Sequence, residues 1–401
     1  MIKGKDIIVV GIQAWDIEIG SNCKNIALEF SKNNRVIYVN PPMVRSVMKT
    51  QKHKNTIQKR IRIKNGQEDS LVKIGSNLWN LYPKTLIESI NWIPIHRLFK
   101  ILNKKNAIGY TNDIKIATSA LDFKDFILFN DSSMFLGLHL KALLQPETYA
   151  YYMRDYLVKV AYWRKHGERI EPQVVKKADV VLTNSAFFEE FCKQYNPHSY
   201  MVGQGCDVSL FNDEDDAIKI PEEFKEIPSP VLGYVGSLTT LRLDIELLTF
   251  VAEQKKDWSI VLVGPEDKDF KNSNLHNLSN VYFLGRKDAS ELPNYVKGFD
   301  LTTNPQLKNN LTIGNYPRKI DEYLAMGKPI LATNTKAMEM FKEHVYLADT
   351  KEEYVTLIIK AMAENTTDRI KSRIEYAKSH TWTNNVKMIY SSIIKATKHR
   401  K

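Results

Sequence analysis

Short apolar runs alternate along the chain with longer stretches whose apolar positions recur at helical spacing. In the first half the strand-like runs are 6–13, 35–40, 77–82, 126–130, 179–184 and 199–203, and in the second half 231–236, 259–264, 280–285, 300–303, 329–333 and 345–348. Such alternation is typical of parallel sheets built from βαβ units. We therefore predict an α/β fold with two Rossmann-like domains, each built on a parallel sheet.

A polar stretch that contains several prolines separates the two series of strands. We predict an N-terminal domain at 1–203, a linker at 204–230, a C-terminal domain at 231–380 and a final helix at 381–401 that packs back toward the first domain. The linker carries an acidic run with an Asp-x-Asp spacing, which could hold a divalent metal under a diphosphate. A solvated linker is the favoured interpretation, because no strand brings these acids into a cleft, and we predict no bound metal.

The composition places the chain among ordinary globular proteins, with 43% hydrophobic and 26% charged residues. No run approaches the roughly 18 apolar residues that a membrane-spanning helix needs. The cysteines Cys23, Cys192 and Cys206 lack the spacing of a zinc site or a disulfide framework. These features favour a cytoplasmic protein with reduced thiols.

The net charge of +11 is concentrated in the first part of the chain, where residues 1–110 hold 19 Lys and Arg against 7 Asp and Glu. The stretch 92–105 mixes basic residues with aromatic and aliphatic ones. This combination suits a peripheral contact with an anionic membrane, here the inner face of the cell membrane. A solvated face over a core helix is the alternative. No nucleic-acid recognition motif accompanies the charge, so we predict no nucleic-acid partner.

The most informative segment is 309–333, NNLTIGNYPRKIDEYLAMGKPILAT. Pro317 fits the first turn of a helix that ends at Gly327, and an apolar strand follows. A helix N-terminus at the carboxyl edge of a parallel sheet favours an anion such as a diphosphate. Lys319 could contact that anion, and Glu322 could accept from the hydroxyls of a ribose. The alternative places both residues on the solvated face of an ordinary helix.

This segment resembles the donor-binding motif of GT-B glycosyltransferases of the family 4 type, a Pro-x-Lys-x-x-Glu-Tyr-x-Ala-x-Gly-Lys-Pro pattern. Its fixed positions are met by Pro317, Lys319, Glu322, Tyr323, Ala325, Gly327, Lys328 and Pro329. The resemblance covers about 179–390 well and the first 178 residues loosely. It implies a GT-B architecture, in which two Rossmann-like domains face each other across a cleft. It also implies a nucleotide-diphosphate sugar as co-substrate, with no further cofactor.

The resemblance also implies roles for residues outside the helix. Gly236 and Ser237 would face the diphosphate, and backbone groups around Gly264 and Gly285 would border the nucleobase. Asn310, in the loop before the helix, and Tyr316 complete the predicted substrate-binding set. Many members carry a further Glu eight positions before the one matched by Glu322, where this chain has Gly314. That departure leaves recognition of the sugar and the stereochemical outcome open, although retention without a metal is the family expectation.

Three further candidates come from positions at strand ends and turns. Arg242 could neutralise a departing diphosphate, or be an ordinary surface arginine. Gly20 belongs to a glycine-containing loop after the first strand and is a candidate for substrate binding. Asp131 follows a strand and is either a catalytic carboxylate or a helix N-cap.

The predicted function is transfer of a sugar from a nucleotide-diphosphate donor to a lipid-linked or polysaccharide acceptor at the cytoplasmic membrane face. Two rival functions stay open. A nucleotide-sugar 2-epimerase of the same fold would consume donor without acceptor. A non-catalytic, membrane-bound scaffold of polysaccharide assembly would bind no nucleotide sugar.

Overall fold

The computed structural model describes residues 1–17, 21–51, 54–212, 215–309 and 312–398. The chain divides into two compact units. The first comprises Met1–Gly203 together with the residues from Asn385 onward, and the second comprises Gln204–Asn384. The segment predicted as a linker thus belongs to the second unit, and most of the last helix belongs to the first.

The first unit is built on an eight-stranded sheet with the order β10-β9-β8-β7-β1-β2-β5-β4. All neighbouring strands are parallel except β4, which runs antiparallel to β5 at the edge. Its strands are β1 (Asp6–Gly11), β2 (Arg35–Val39), β4 (Leu71–Gly75), β5 (Leu78–Leu81), β7 (Ile127–Asp131), β8 (Thr148–Met153), β9 (Val180–Thr183) and β10 (Ser199–Met201), and β3 (Met43–Val44) and β6 (Leu86–Ile87) form a separate pair.

The second unit is built on a six-stranded, wholly parallel sheet with the order β13-β12-β11-β14-β15-β16. Its strands are β11 (Val231–Val235), β12 (Ser259–Val263), β13 (Val281–Gly285), β14 (Leu301–Asn304), β15 (Ile330–Thr333) and β16 (Tyr346–Ala348). Strand order reverses between β11 and β14, and open α/β sheets bind ligands outside the carboxyl ends of their strands at such a point.

The helices cover both sheets. Those of the first unit are α1 (Asn22–Ser31), α2 (Arg45–Thr50), α3 (Asn55–Lys64), α4 (His96–Ala120), α5 (Met134–Leu144), α6 (Ala161–Lys177) and α7 (Ala186–Lys193). Those of the second are α8 (Ile245–Gln254), α9 (Lys268–Lys271), α10 (Leu292–Lys297), α11 (Lys319–Ala325), α12 (Lys351–Ala363) and α13 (Thr367–Ser379), and α14 (Trp382–Lys398) closes the chain. None of the helices in the described ranges is long and apolar enough to cross a membrane.

The prediction of an α/β fold with two parallel sheets is confirmed. Each of the six strands predicted in the second half is present, with its ends shifted by no more than one residue. In the first half, the fully buried strand β8 was not predicted. Its sequence, TYAYYM, is rich in tyrosine, and these side chains can be buried because their hydroxyls form internal hydrogen bonds. Tyr151 donates to Glu171, and Tyr152 donates to the Gly203 carbonyl.

Candidate functional site

The first two strands of the second sheet end on glycines that approach each other closely. Gly236 follows β11 with φ of 144°, and Gly264 follows β12 with φ of 154°. A Cβ atom added to Gly264 would lie 1.8 Å from the carbonyl oxygen of Gly236. Only glycine at position 264 therefore allows the two turns to pass in this way, at the carboxyl edge where the fold predicts a ligand.

Lys319, at the start of α11, lies against the first of these turns. Its ammonium donates a hydrogen bond to the Tyr234 hydroxyl and lies 3.8 Å from the centroid of that ring. A Cβ on Gly236 would come within 2.7 Å of Lys319 Nζ, so the glycine makes room for the ammonium. The partner of this cation is thus a neutral hydroxyl, which leaves its charge available to an anion.

The surroundings of Lys319 lower the pKa of its side-chain amine. Burial is the main cause that lowers the pKa of Lys319 to about 7; nearby Arg242 lowers it as well, and Glu322 opposes the shift. An anion placed beside Nζ would favour the charged form and raise this pKa again. The site is therefore one where anion binding and protonation of Lys319 are coupled.

Glu322 lies one turn along α11 from Lys319 and is half-buried. Burial raises the pKa of its carboxyl group, whereas Arg318 and Lys319 lower it. Arg318 Nη2 lies 3.7 Å from Glu322 Oε1. The carboxylate thus keeps acceptor positions that a hydroxyl-bearing ligand could use.

The other fixed residues of the motif hold α11 in place. The Val235 amide at the end of β11 donates to the Tyr323 hydroxyl at 2.8 Å. Gly327 ends the helix with φ of 65°, and Lys328 Nζ donates to the Lys297 carbonyl at 2.8 Å. The motif therefore combines two side chains at the edge of the sheet with several that fix the helix carrying them.

Tyr316, predicted to bind substrate, is buried and its hydroxyl donates to Asp321 Oδ2 at 2.7 Å. His380 Nδ1 lies 2.7 Å from the other oxygen, Asp321 Oδ1. Burial raises the pKa of Asp321, whereas the contacts with His380 and Tyr316 lower it. Tyr316 thus helps to support α11 from within, and its contact with substrate stays a prediction.

The remaining predicted residues of the second unit lie around the same edge. Ser237 is exposed directly after Gly236, and Gly285 is exposed at the end of β13 with φ of 68°. Arg242 is exposed, and its backbone carbonyl accepts a hydrogen bond from the Leu307 amide at 2.9 Å. The charge of Arg242 is near enough to lower the pKa of Lys319. Asn310 lies outside the described residues.

In the first unit, Asp131 forms the buried end of β7 and pairs in register with Gly11. Its Oδ1 accepts from Arg154 Nε at 2.8 Å, while Oδ2 has no hydrogen-bond partner among the described groups. Burial raises the pKa of Asp131, and Arg154 lowers it. The N-cap of the following helix is Ser133, so the alternative interpretation of Asp131 as an N-cap was wrong.

Two polar residues that follow strand β8 lie near Asp131. Arg154 contacts Asp155 at 2.5 Å as well as Asp131. His166 lies elsewhere in the unit, where it stacks on Phe99 and contacts the Ile93 carbonyl at 2.9 Å. Gly20, the predicted loop residue of this edge, lies outside the described residues.

The basic and apolar stretch of the first unit is exposed in large part. Trp92 is 72% exposed and Ile95 60%, and on α4 Leu98 and Ile101 are 42% and 66% exposed. The neighbouring basic residues, Arg97, Lys100, Lys104 and Lys105, are exposed as well. This surface is therefore both apolar and cationic. The sequence alone did not decide whether its apolar residues are exposed.

Within the ranges that the structure describes, no group of three or more His, Cys, Asp or Glu residues could hold a metal ion. In the acidic run of the predicted linker, residues 213–216, two acids lie outside those ranges, Asp213 and Glu214.

The sequence of the chain is similar to those of known glycosyltransferases. Residues 229–364 match the family described as Glycosyl transferases group 1. The putative teichuronic acid biosynthesis glycosyltransferase TuaH of Bacillus subtilis (strain 168) is 26% identical over 232 residues, covering 55% of this chain and 57% of that protein. The match thus spans a little over half the length of this relative, and both findings confirm the resemblance inferred from the motif.

Solved structures match almost the whole chain. Sucrose-phosphate synthase from Thermosynechococcus elongatus shares 14% identity, covering 98% of this chain and 100% of that chain with a TM-score of 0.64. Anabaena Alr3699/HepE in complex with UDP shares 13% identity, covering 98% and 100% with a TM-score of 0.66. At these identities the likeness concerns the fold, and it confirms the predicted GT-B class.

Proposed function

Because residues 229–364 match the group 1 glycosyl transferases, we propose that this protein transfers a sugar from a nucleotide-diphosphate donor to an acceptor. The observation that carries the proposal is the position of the Lys319 ammonium, which rests on the Gly236 turn and, within the part of the chain that the structure describes, has only a neutral hydroxyl as its hydrogen-bond partner. The complex of the structural relative with UDP supports a uridine nucleotide as one candidate donor.

In the proposed complex, the diphosphate lies against the turn formed by Gly236 and Ser237. Lys319 neutralises the charge that develops on the departing diphosphate, and the exposed Arg242 contributes a second cation. Glu322 accepts hydrogen bonds from the ribose hydroxyls, while backbone groups at Gly264 and Gly285 border the nucleobase. Catalysis then rests on positioning and on charge stabilisation by side chains, with no separate cofactor or bound metal and with retention of configuration.

In the first unit, Asp131 is the proposed catalytic carboxylate, since its Oδ2 has no hydrogen-bond partner among the described groups and burial raises its pKa. A raised pKa makes a carboxylate a stronger general base than an ordinary exposed aspartate. Arg154 positions it through the bond to Oδ1.

The acceptor in this proposal is a lipid-linked or glycan molecule at the cytoplasmic face of the membrane. The relative TuaH is described as a putative teichuronic acid biosynthesis enzyme, which supports an envelope polysaccharide as the product. The exposed Trp92, Ile95, Leu98 and Ile101 with their basic neighbours support peripheral contact with an anionic bilayer.

A thermal-shift screen against a panel of nucleotide-diphosphate sugars tests the donor proposal. A ligand at a hundredfold excess over its Kd adds about 2.7 kcal/mol to the free energy of unfolding. Glu322→Gln is expected to weaken binding of the best donor about tenfold, because the ribose hydroxyls lose a charged acceptor. The control Glu253→Gln, at an exposed position of α8, should bind like the wild type.

The same screen separates the rival functions. A scaffold would show no shift with any donor in folded protein. A 2-epimerase would bind donor and convert it in the absence of any acceptor, which NMR of the sugar ring protons would detect.

Membrane contact predicts binding to vesicles. The wild type should co-sediment with anionic phosphatidylglycerol vesicles at low salt and much less with neutral phosphatidylcholine. Replacing Leu98 and Ile101 together by serine should reduce the partition coefficient at least about tenfold, because burial of each such side chain contributes about 1.5–3 kcal/mol. Ile359→Ser, at a similarly exposed position of α12, should change nothing. Equal binding of the double variant would contradict this proposal.

A further inference from the structure

The first unit contains an apolar pocket at the carboxyl edge of its sheet. The pocket has a volume of about 200 Å³, and its lining includes Gly11, the residue that pairs with Asp131. It lies among α4, the starts of α5 and α6, and the pair β3–β6, and its apolar lining includes Val44, Ile87, Leu136 and Trp163. A dry apolar cavity of about 150 Å³ is large enough to bind benzene, so this pocket has room for a hydrocarbon segment.

Several polar side chains that line the pocket, among them three on α4, are already hydrogen-bonded to the protein. Asn103 donates to the Phe135 carbonyl at 2.6 Å, and Tyr110 donates to the Asn40 carbonyl at 3.3 Å. Asn106 bonds both the amide and the carbonyl of Glu88. A sugar buried here would lose its hydrogen bonds to water with few replacements, whereas a hydrocarbon chain has none to lose.

The rim of the pocket merges with the exposed apolar and basic surface. Tyr162, which lines the pocket, is 55% exposed, and Asn91 of the lining donates to the Tyr162 carbonyl at 3.3 Å. Trp92 follows Asn91, and its carbonyl accepts from Lys165 Nζ. Apolar side chains that surround a pocket and are flanked by cations match the chemistry of an anionic lipid, with its chain in the pocket and its head group among the cations.

We propose that this pocket binds the proximal part of the hydrocarbon chain of a lipid phosphate, which is the acceptor of the sugar. Gly11, which lines the pocket, pairs in register with Asp131, so the pocket and that carboxylate belong to the same carboxyl edge of the sheet. This inference rests on the proposed transfer reaction and narrows its acceptor from a lipid-linked or glycan molecule to the lipid-linked class.

Binding of single-chain alkyl phosphates tests the proposal without knowledge of the natural lipid. Hexyl, octyl and decyl phosphate, each below its micellar concentration, are titrated while the fluorescence of the protein is recorded, since Trp163 lines the pocket. Affinity should rise about fourfold for each methylene that enters the pocket. Inorganic phosphate, which carries the charge without the chain, should bind far more weakly.

Pocket-filling variants localise the binding. Val44→Trp and, at the exposed rim, Ser89→Trp place an indole where the chain would lie and should weaken decyl phosphate binding at least tenfold. Val72→Trp, on the exposed edge strand β4, is the matched control and should bind like the wild type. The rim variant keeps the test valid if Val44→Trp does not fold.

The outcomes distinguish this inference from the proposed function. If decyl phosphate does not bind the wild type, or binds both folded pocket variants as tightly as the control, the pocket assignment is overturned. The donor-induced thermal shift is measured on the same variants. It should be unchanged, because the donor residues belong to the second unit, and its absence in the wild type would count against the transfer reaction itself.

Discussion

Replacing Lys319 by methionine is expected to lower kcat/KM for sugar transfer by about two to three orders of magnitude, or ~3–4 kcal/mol of transition-state stabilisation. Methionine keeps much of the length of the side chain but removes the charge that meets the departing diphosphate. Charge that develops in the transition state is stabilised most by a group already fixed in place, and Tyr234 and Gly236 fix this ammonium. Most of the loss should therefore appear in kcat.

Steady-state kinetics with the donor identified by thermal shift would measure this effect. Lys360→Met, which removes an exposed lysine of α12, is the control and should retain full activity. Circular dichroism and the unfolding midpoint verify that the Lys319 variant is folded. Activity within about threefold of the wild type, less than 1 kcal/mol, would show that Lys319 does not stabilise the leaving group.

Gly264→Ala is expected to lower the free energy of unfolding of the second unit by about 2–4 kcal/mol and to abolish donor binding. Its new Cβ would meet the Gly236 carbonyl oxygen at 1.8 Å, so one of the two turns must move. One of these turns supports Lys319, and the other borders the proposed nucleobase site. Stability and donor binding should therefore fall together.

Gly285→Ala separates this clash from backbone strain. Gly285 also has a positive φ, of 68°, but among the residues with described positions no atom apart from those of Gly285 and its chain neighbours lies within 4 Å of its hypothetical Cβ. Alanine there should cost only the ~1–2 kcal/mol of a left-handed conformation. Urea unfolding of both variants measures the difference, and equal losses would contradict the close approach of the two turns.

The strands and the motif helix of the second unit could be predicted closely because the sequence patterns that mark them are local. Most of its strands are short apolar runs bounded by glycine or proline, and its motif places Lys319 and Glu322 on one helix. The supporting contact between Asp321 and His380 joins residues 59 positions apart, and no local pattern pairs them. The sequence predicted Tyr316 to bind substrate and gave no sign of its hydrogen bond to Asp321, because that bond depends on the folded structure.

In the first unit, prediction failed where side-chain partners decide the structure. Strand β8 lacks the Val and Ile that mark its neighbours, and tertiary hydrogen bonds offset the burial of its tyrosines. Without β8, Arg154 could not be placed beside Asp131, and the role of that carboxylate stayed ambiguous. The exposure of the apolar residues on α4 likewise depends on packing that periodicity does not fix.

The most direct test of the donor site is calorimetric titration with the best donor at pH 8, in buffers of different ionisation enthalpy. The pKa of free Lys319 is about 7, so its amine is mostly neutral at pH 8, and a diphosphate beside it should restore the charge. Uptake of about one proton on binding is expected, with affinity falling as pH rises above 7. Lys319→Met should abolish the uptake. Donor binding without proton uptake, or uptake that persists in this variant, would contradict a site built on Lys319.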